Sequence, residues 1–277
     1  MSAPDPAVRK TYGTIVVVGG GCYGSYYVRQ LRRAVHAGAI TADRILVVDR
    51  DPHCMVAAAL AAERNAALSP PVMLRVDDWR AFFAEYLTSA AHNGDSASDD
   101  AIVPSPLMPH LMAEWIVDRA RRRWPDRSVE TVPFDEPPTV PWQRAGSDGT
   151  HYVSFATWTC PVNCIEPRTC PVTKGPRSWS LPDRLNEHAH ARRGVGRPVE
   201  LAVLHCSHRA YGVGMFDTSA VVEADRRIAA TAAERAAEVI VGTVSHCHGA
   251  LTRLMVGEPP SAVPRTAIFS EDLIRRP

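Results

Sequence analysis

The chain has 277 residues, of which 45% are hydrophobic and 22% charged, and a formal net charge of +1. That length is enough for one large α/β domain or two modest ones, each with a real core. The near-neutral balance removes any global electrostatic reason to bind nucleic acid or a membrane surface.

No apolar run reaches the roughly 18 residues needed to cross a bilayer. The opening MSAPDPAVRKTYG lacks the apolar centre of a secretory signal. A cytoplasmic, reducing location is the expectation, where the seven cysteines read as free thiols or metal ligands before disulfides.

In chain order, Thr14–Val18 is a β-branched run of the kind found in buried parallel strands. It leads into Gly19-Gly20-Gly21-Cys22-Tyr23-Gly24, which fits G-x-G-x-x-G. An amphipathic helix follows, with Tyr27, Val28, Leu31 and Val35 on one face and Gly38 as its stop. A second strand, Ile45–Val48, ends at Asp49, 25 residues beyond Gly24. In this context Gly19 permits the tight turn, Gly21 the approach of a pyrophosphate, and Gly24 close helix–strand packing. The helix N-terminus offers free N–H groups to phosphate, and Asp49 stands where a carboxylate accepts ribose hydroxyls.

The stretch GGGCYGSYYVRQL…ILVVDRDP resembles the Rossmann dinucleotide-binding superfamily over residues 14–55, and is similar to the nucleotide-sensing domains of potassium-uptake regulators. The resemblance implies a parallel-sheet nucleotide domain with Gly19, Gly21, Gly24 and Asp49 at the cofactor. An acidic Asp49 favours NAD over NADP, and S-adenosylmethionine is a further candidate that Asp77-Asp78 would suit. The competing reading is a tight β–α turn with no ligand.

The alternation continues through a helix over His53–Leu68, a strand at Val72–Val76 and a helix over Trp79–Ala90 whose aromatics belong to the core. His92–Asp100 is a polar loop. Ala101–Val103 is a fourth strand, and a proline-rich turn leads to a helix over His110–Trp124, with His110 a cap or a site residue. Arg119 and Arg121–Arg123 read as a solvated basic helix end. Pro133–Thr150 reads as a linker, so the expected division is a nucleotide domain over 1–133, a linker over 134–150 and a metal-binding α/β domain over 151–277.

In the second half a strand over His151–Trp158 enters TWTCPVNCIEPRTCPVTKGPRSW, with Cys160, Cys164 and Cys170 inside eleven residues. Val199–Leu204 and Glu238–Val244 are buried strands around a helical stretch, a βαβ pattern with parallel strands. Each ends in a ligand-type cluster, His205-Cys206-Ser207-His208 and Ser245-His246-Cys247-His248-Gly249. Open α/β sheets bind at such carboxyl ends. Tyr211–Phe216 is a turn packed by Met215 and Phe216, or a binding loop. The stretch from Gly257 onward reads as a tail.

Thiolates this close in a proline-stiffened loop can converge on one centre. The metal set is Cys160, Cys164 and Cys170 with Cys206 or Cys247, most simply for a [4Fe–4S] cluster, though the spacing departs from the ferredoxin run. Zinc, with one of His205, His208, His246 or His248 as a ligand, is the alternative. Cys22 and Cys54 read as small buried residues, and Arg168, Lys174 and Arg177 as charge around the loop.

The fold class expected is α/β, a Rossmann-like parallel sheet plus a smaller α/β domain with a Cys-rich metal loop. The function expected is a redox protein joining an NAD-like site to an iron–sulfur centre, an oxidoreductase or electron-transfer subunit with a redox partner protein or a second copy of itself. The rival is a non-enzymatic nucleotide-sensing or assembly subunit with structural zinc. A catalytic acid–base pair is not recognisable.

Overall fold

The computed structural model describes residues 10–63, 69–93, 99–161, 164–193 and 198–260. These form a mixed α/β structure of two mixed six-stranded sheets and six helices. The first part of the chain alternates β1 (Lys10–Val18), α1 (Cys22–His36), β2 (Ile40–Asp49), α2 (Met55–Ala62), β3 (Val72–Val76), α3 (Trp79–Asn93), β4 (Ala101–Val103) and α4 (Leu111–Arg123). Then come β5 (Val129–Val132), β6 (Trp142–Ala145), β7 (His151–Ser154), α5 (Leu181–Arg193) and β8 (Val199–His205). The chain finishes with β9 (Ser207–Ala210), β10 (Val213–Asp217), α6 (Thr218–Thr231), β11 (Ala237–Val244) and β12 (His248–Val256).

The first sheet has the order β3-β2-β1-β4-β10-β9. Strands β1 to β4 are parallel, β10 pairs antiparallel with β4, and β9 pairs antiparallel with β10. The second runs β6-β7-β12-β11-β8, with β5 also on β12; only β8 and β11 are parallel.

Burial explains the layering. β11 is buried at every position, as a strand covered on both faces must be. One core joins the two sheets through α3, α4 and α6, with Val16, Phe83, Ile116, Val221, Val239 and Leu254 among its members. The outer face of the first sheet is closed by α1 and α2 around Leu31, Ile45 and Val56. That of the second is closed by α5 through Leu181 and Leu185. The result is helices, sheet, helices, sheet, helix.

The chain therefore interleaves. The hairpin β9–β10 belongs by sequence to 151–277 but completes the first sheet, while β5, before residue 133, joins the second. Within the expected linker, Trp142–Ala145 pairs with His151–Ser154. The expected parallel pairing of Val199–Leu204 with Glu238–Val244 is present.

Several expectations are corrected. The strand from His151 ends at Ser154, because the Ser154 hydroxyl donates to Ala156 O and turns the chain. The helix from His53 begins at Met55; residues 64–68 of that expectation lie outside the described residues, as does most of the tail, 261–277. Arg119 and Arg123 are not a solvated face, since both guanidiniums reach the buried Asp225 carboxylate, at 3.4 and 2.7 Å. Cys22 is exposed, whereas Cys54 is buried. Tyr211 (φ 42°) and Gly212 (φ 81°) form the two-residue turn between β9 and β10, positive at both positions as such hairpins require, with Met215 and Phe216 buried behind it.

Candidate metal centre and adjoining cleft

The glycine turn sits at the carboxyl end of β1. Gly19 has φ 87°, a conformation that favours glycine, and its N–H donates to Val48 O at 2.8 Å. A Cβ on Gly24 would lie 1.8 Å from Gly19 O, so α1 approaches β1 only because nothing projects there. A Cβ on Gly21 would meet nothing within 4 Å. The Asp49 carboxylate points back to this turn: Oδ2 accepts Gly20 N–H at 2.5 Å and Oδ1 accepts Asp51 N–H at 2.9 Å. Gly38 (φ 67°) ends α1, and Asp78 caps α3 by accepting the N–H of Arg80 and Ala81.

The cysteine loop leaves β7 and has little regular structure. It is shaped by short turns, with Cys164 N–H on Pro161 O, Lys174 N–H on Cys170 O and Arg177 N–H on Arg168 O. Its anchor is Glu166, which sequence reasoning missed. Glu166 is 8% exposed with φ 52°, a left-handed conformation that a non-glycine residue holds only when its surroundings impose it. Its carboxylate accepts the Ser245 hydroxyl at 2.6 Å and the N–H groups of His246 and Cys247 at 3.0 and 3.1 Å. Arg177 stands 3.9 Å away, and so does His208 Nδ1. Burial alone would raise the Glu166 pKa, but these donors and the His208 ring outweigh it, so the group is held below the usual carboxylate range. One carboxylate thus ties the loop to the β11–β12 turn. The only signal in the sequence is that Glu166 is the single acid between Thr157 and Trp179.

That tie brings four cysteines to one narrow cavity. Cys160, Cys164, Cys170 and Cys247 line it together with Trp158 and Trp179. Cys206, the other expected closing ligand, does not; neither do His205, His208, His246 or His248. The sulfurs have hydrogen-bond donors. Trp179 Nε1 donates to Cys247 Sγ at 3.3 Å, and Glu166 N–H to Cys164 Sγ at 3.4 Å. The Thr173 N–H and hydroxyl hold the Cys170 thiol below its usual range, favouring thiolate. Cys160 is pushed up by burial and by its neighbours Cys164 and Cys170. Cys247 is pushed up to about 12, by burial first and then by Glu166. Among the described residues no three His, Cys, Asp or Glu side chains already stand in ligating geometry.

A cleft of about 530 Å³ adjoins this cavity, and Trp158 lines both. It opens between the sheets, past the carboxyl ends of β4, β8 and β11, with Pro104, Cys206 and Ser245 each following one of those strands. Tyr27 enters from α1, and Gly212 and Gly214 from the β9–β10 hairpin. Cys206 is pushed up to about 12 by burial, helped by Glu166. Burial also raises the Tyr27 phenol to about 12. His208 is lowered by burial, more than Glu166 can offset. Burial thus disfavours the charged form of all three. His205 and His246 stack edge to face at 4.6 Å beside them, and burial lowers His205. His110 stands at the start of α4 without a capping bond from its side chain and lines a separate charged cavity.

A helical layer between two mixed sheets, with cysteines and a cleft at the strand ends, defines a mixed α/β protein with a thiol-rich candidate site. The chain belongs to the AF_1314_C family, described as "Uncharacterized protein, C-terminal domain", whose model matches residues 112–257, more than half of the 277. The match runs from α4 to the end of β12 and includes the cysteine loop and Glu166. No curated protein and no solved structure matches the chain. Among the described residues no helix is long and apolar enough to cross a membrane.

Proposed function

We propose that the protein is a redox protein in which Cys160, Cys164, Cys170 and Cys247 hold an iron–sulfur cluster. In this reading the β1–α1 turn of a Rossmann-like unit holds an NAD-like dinucleotide. The observation that carries it is the single cavity lined by all four thiols, although Cys247 lies 77 residues beyond Cys170. Four cysteines are the donor set of such a cluster, and N–H donors aimed at the sulfurs stabilise thiolate ligands. Loading the centre would draw the thiols closer than they stand, displacing the protons that burial keeps on Cys160 and Cys247. A cluster would supply one-electron transfer beside the cleft.

For the nucleotide, the support is the parallel order β3-β2-β1-β4, with Gly19–Gly21 where that order turns back beside β1. Asp49 holds the turn through Oδ2 on Gly20 N–H, while Oδ1 accepts Asp51 N–H in its own loop, so its first role is to shape the phosphate loop. Contact with ribose would add to those bonds.

A second reading, structural zinc in a nucleotide-sensing subunit, is favoured by the C-x3-C spacing of Cys160 and Cys164, closed by the Cys164 N–H to Pro161 O turn. Alanine substitutions test the ligand set. Cys160→Ala, Cys164→Ala, Cys170→Ala and Cys247→Ala should each lose the metal, while Cys206→Ala and Cys22→Ala keep it. Full metal content in the first four would overturn the assignment, and iron against zinc separates the two readings.

A further inference from the structure

We propose that the cleft binds an uncharged, planar, fused heteroaromatic ring of the isoalloxazine class. The inference goes beyond the metal reading and does not rest on it; the cleft's own lining carries it. Among the described residues no Lys, Arg, Asp or Glu lines the cleft. That is a property of this cleft, because the cavity beside α4 is lined by Arg80, Glu114, Asp118, Arg119, Arg121 and Arg122. A phosphate or carboxylate would find no counter-charge in the cleft and would lose its hydration on entry.

Flat surfaces are plentiful instead. Tyr27, Trp142, Tyr152 and Trp158 come from four separate segments, and aromatic faces stack on planar rings with little conformational cost. The volume, about 530 Å³, falls within the range of small-molecule sites and exceeds what a single six-membered ring requires.

The wall also has a specific polar demand. Thr243 lines the cleft, is 7% exposed, and its hydroxyl has no hydrogen-bond partner. A buried hydroxyl without a partner is unfavourable, and a ring edge carrying carbonyl and imide groups would satisfy it. Cys206, His208 and His248 stand in the same lining to take further edge positions. A purely hydrocarbon ring would leave all four unused, which is why the ligand is heteroaromatic.

The test is a fluorescence titration of lumiflavin with the full-length protein, alongside FMN, which carries the same ring on a charged phosphate. Saturable quenching in the micromolar range is expected, with FMN no tighter than lumiflavin. Thr243→Val keeps the shape and removes the hydroxyl, so affinity should fall about tenfold, the scale of one buried hydrogen bond. Trp142→Ala, at the exposed rim, should fall at least as far without affecting folding. Cys170→Ala should lose metal and keep lumiflavin binding, which separates this site from the metal centre. Absence of saturable quenching, unchanged affinity in both cleft variants, or markedly tighter FMN would overturn the proposal.

Discussion

The glycine turn and the cysteine loop are both irregular stretches at strand ends, and they are held in opposite ways. The turn is fixed from nearby: Gly19, Gly24, Asp49 and the ends of β1 and β2 define it through backbone geometry and short bonds. The loop is fixed from a distance, by one buried carboxylate whose partners lie 79 to 81 residues further along the chain. Local steric rules set the first. The second depends on a long-range polar anchor, so a single change there should loosen the loop while leaving the sheets intact.

The sharpest break in that comparison is Gly24→Val. With Gly19 O only 1.8 Å from where the new Cβ would stand, helix or strand must shift, and a loss of about 3 kcal/mol or more is expected. Denaturant unfolding would measure it, and a wild-type midpoint would contradict the packing account. Gly21→Val probes the same turn without the clash. It should fold normally, because its Cβ meets nothing within 4 Å, and weaken NAD(H) about 100-fold by obstructing the pyrophosphate. Unchanged affinity by calorimetry would leave a ligand-free turn.

On the other side of the comparison, Glu166→Gln replaces one acceptor oxygen by an amide N–H facing donors. Stability should fall by about 2 kcal/mol, with a larger loss of metal affinity than of unfolding midpoint. Equal metal affinity would show that the carboxylate does not organise the centre. The smallest effect concerns Asp217. Burial would raise its pKa, but the Arg209 hydrogen bonds and the neighbouring Lys10 outweigh it and lower it. Its contribution is therefore present above the unfolded carboxylate value near pH 4 and lost as pH falls through the lower folded value. The group is partly exposed, so Asp217→Asn should cost about 1 kcal/mol at most at pH 7 and flatten the acid limb of the stability profile. An unchanged acid limb would contradict this pairing.

What the sequence disclosed follows the same division. The run from β1 to α4 was legible because period and turn chemistry are local: the G-x-G-x-x-G stretch, the stop at Gly38 and the strand at Val72–Val76 each announce themselves. The hairpin β9–β10 was not, because its four- and five-residue strands are short and its role, extending the first sheet from the far half of the chain, is a tertiary fact. Strand β12 was hidden by His248 and Gly249, which read as part of a ligand cluster and in fact begin a nine-residue strand. The cysteines were legible as a group, and Cys247 was among the candidates. That it rather than Cys206 lines their cavity depends on the turn after β11, which no spacing rule reports. Thr243 and Trp158 were unreadable as cleft-lining residues, since one sits in a buried strand and the other in an ordinary aromatic position.

The most direct test of the central claim is metal and acid-labile sulfide analysis of the anaerobically purified wild-type protein, with its visible spectrum. About four iron and matching sulfide per chain with broad brown absorption are expected, as four thiolates around one centre would give. One zinc without sulfide or colour, or neither metal, would contradict the redox reading and leave the cysteine cavity a structural feature of the fold.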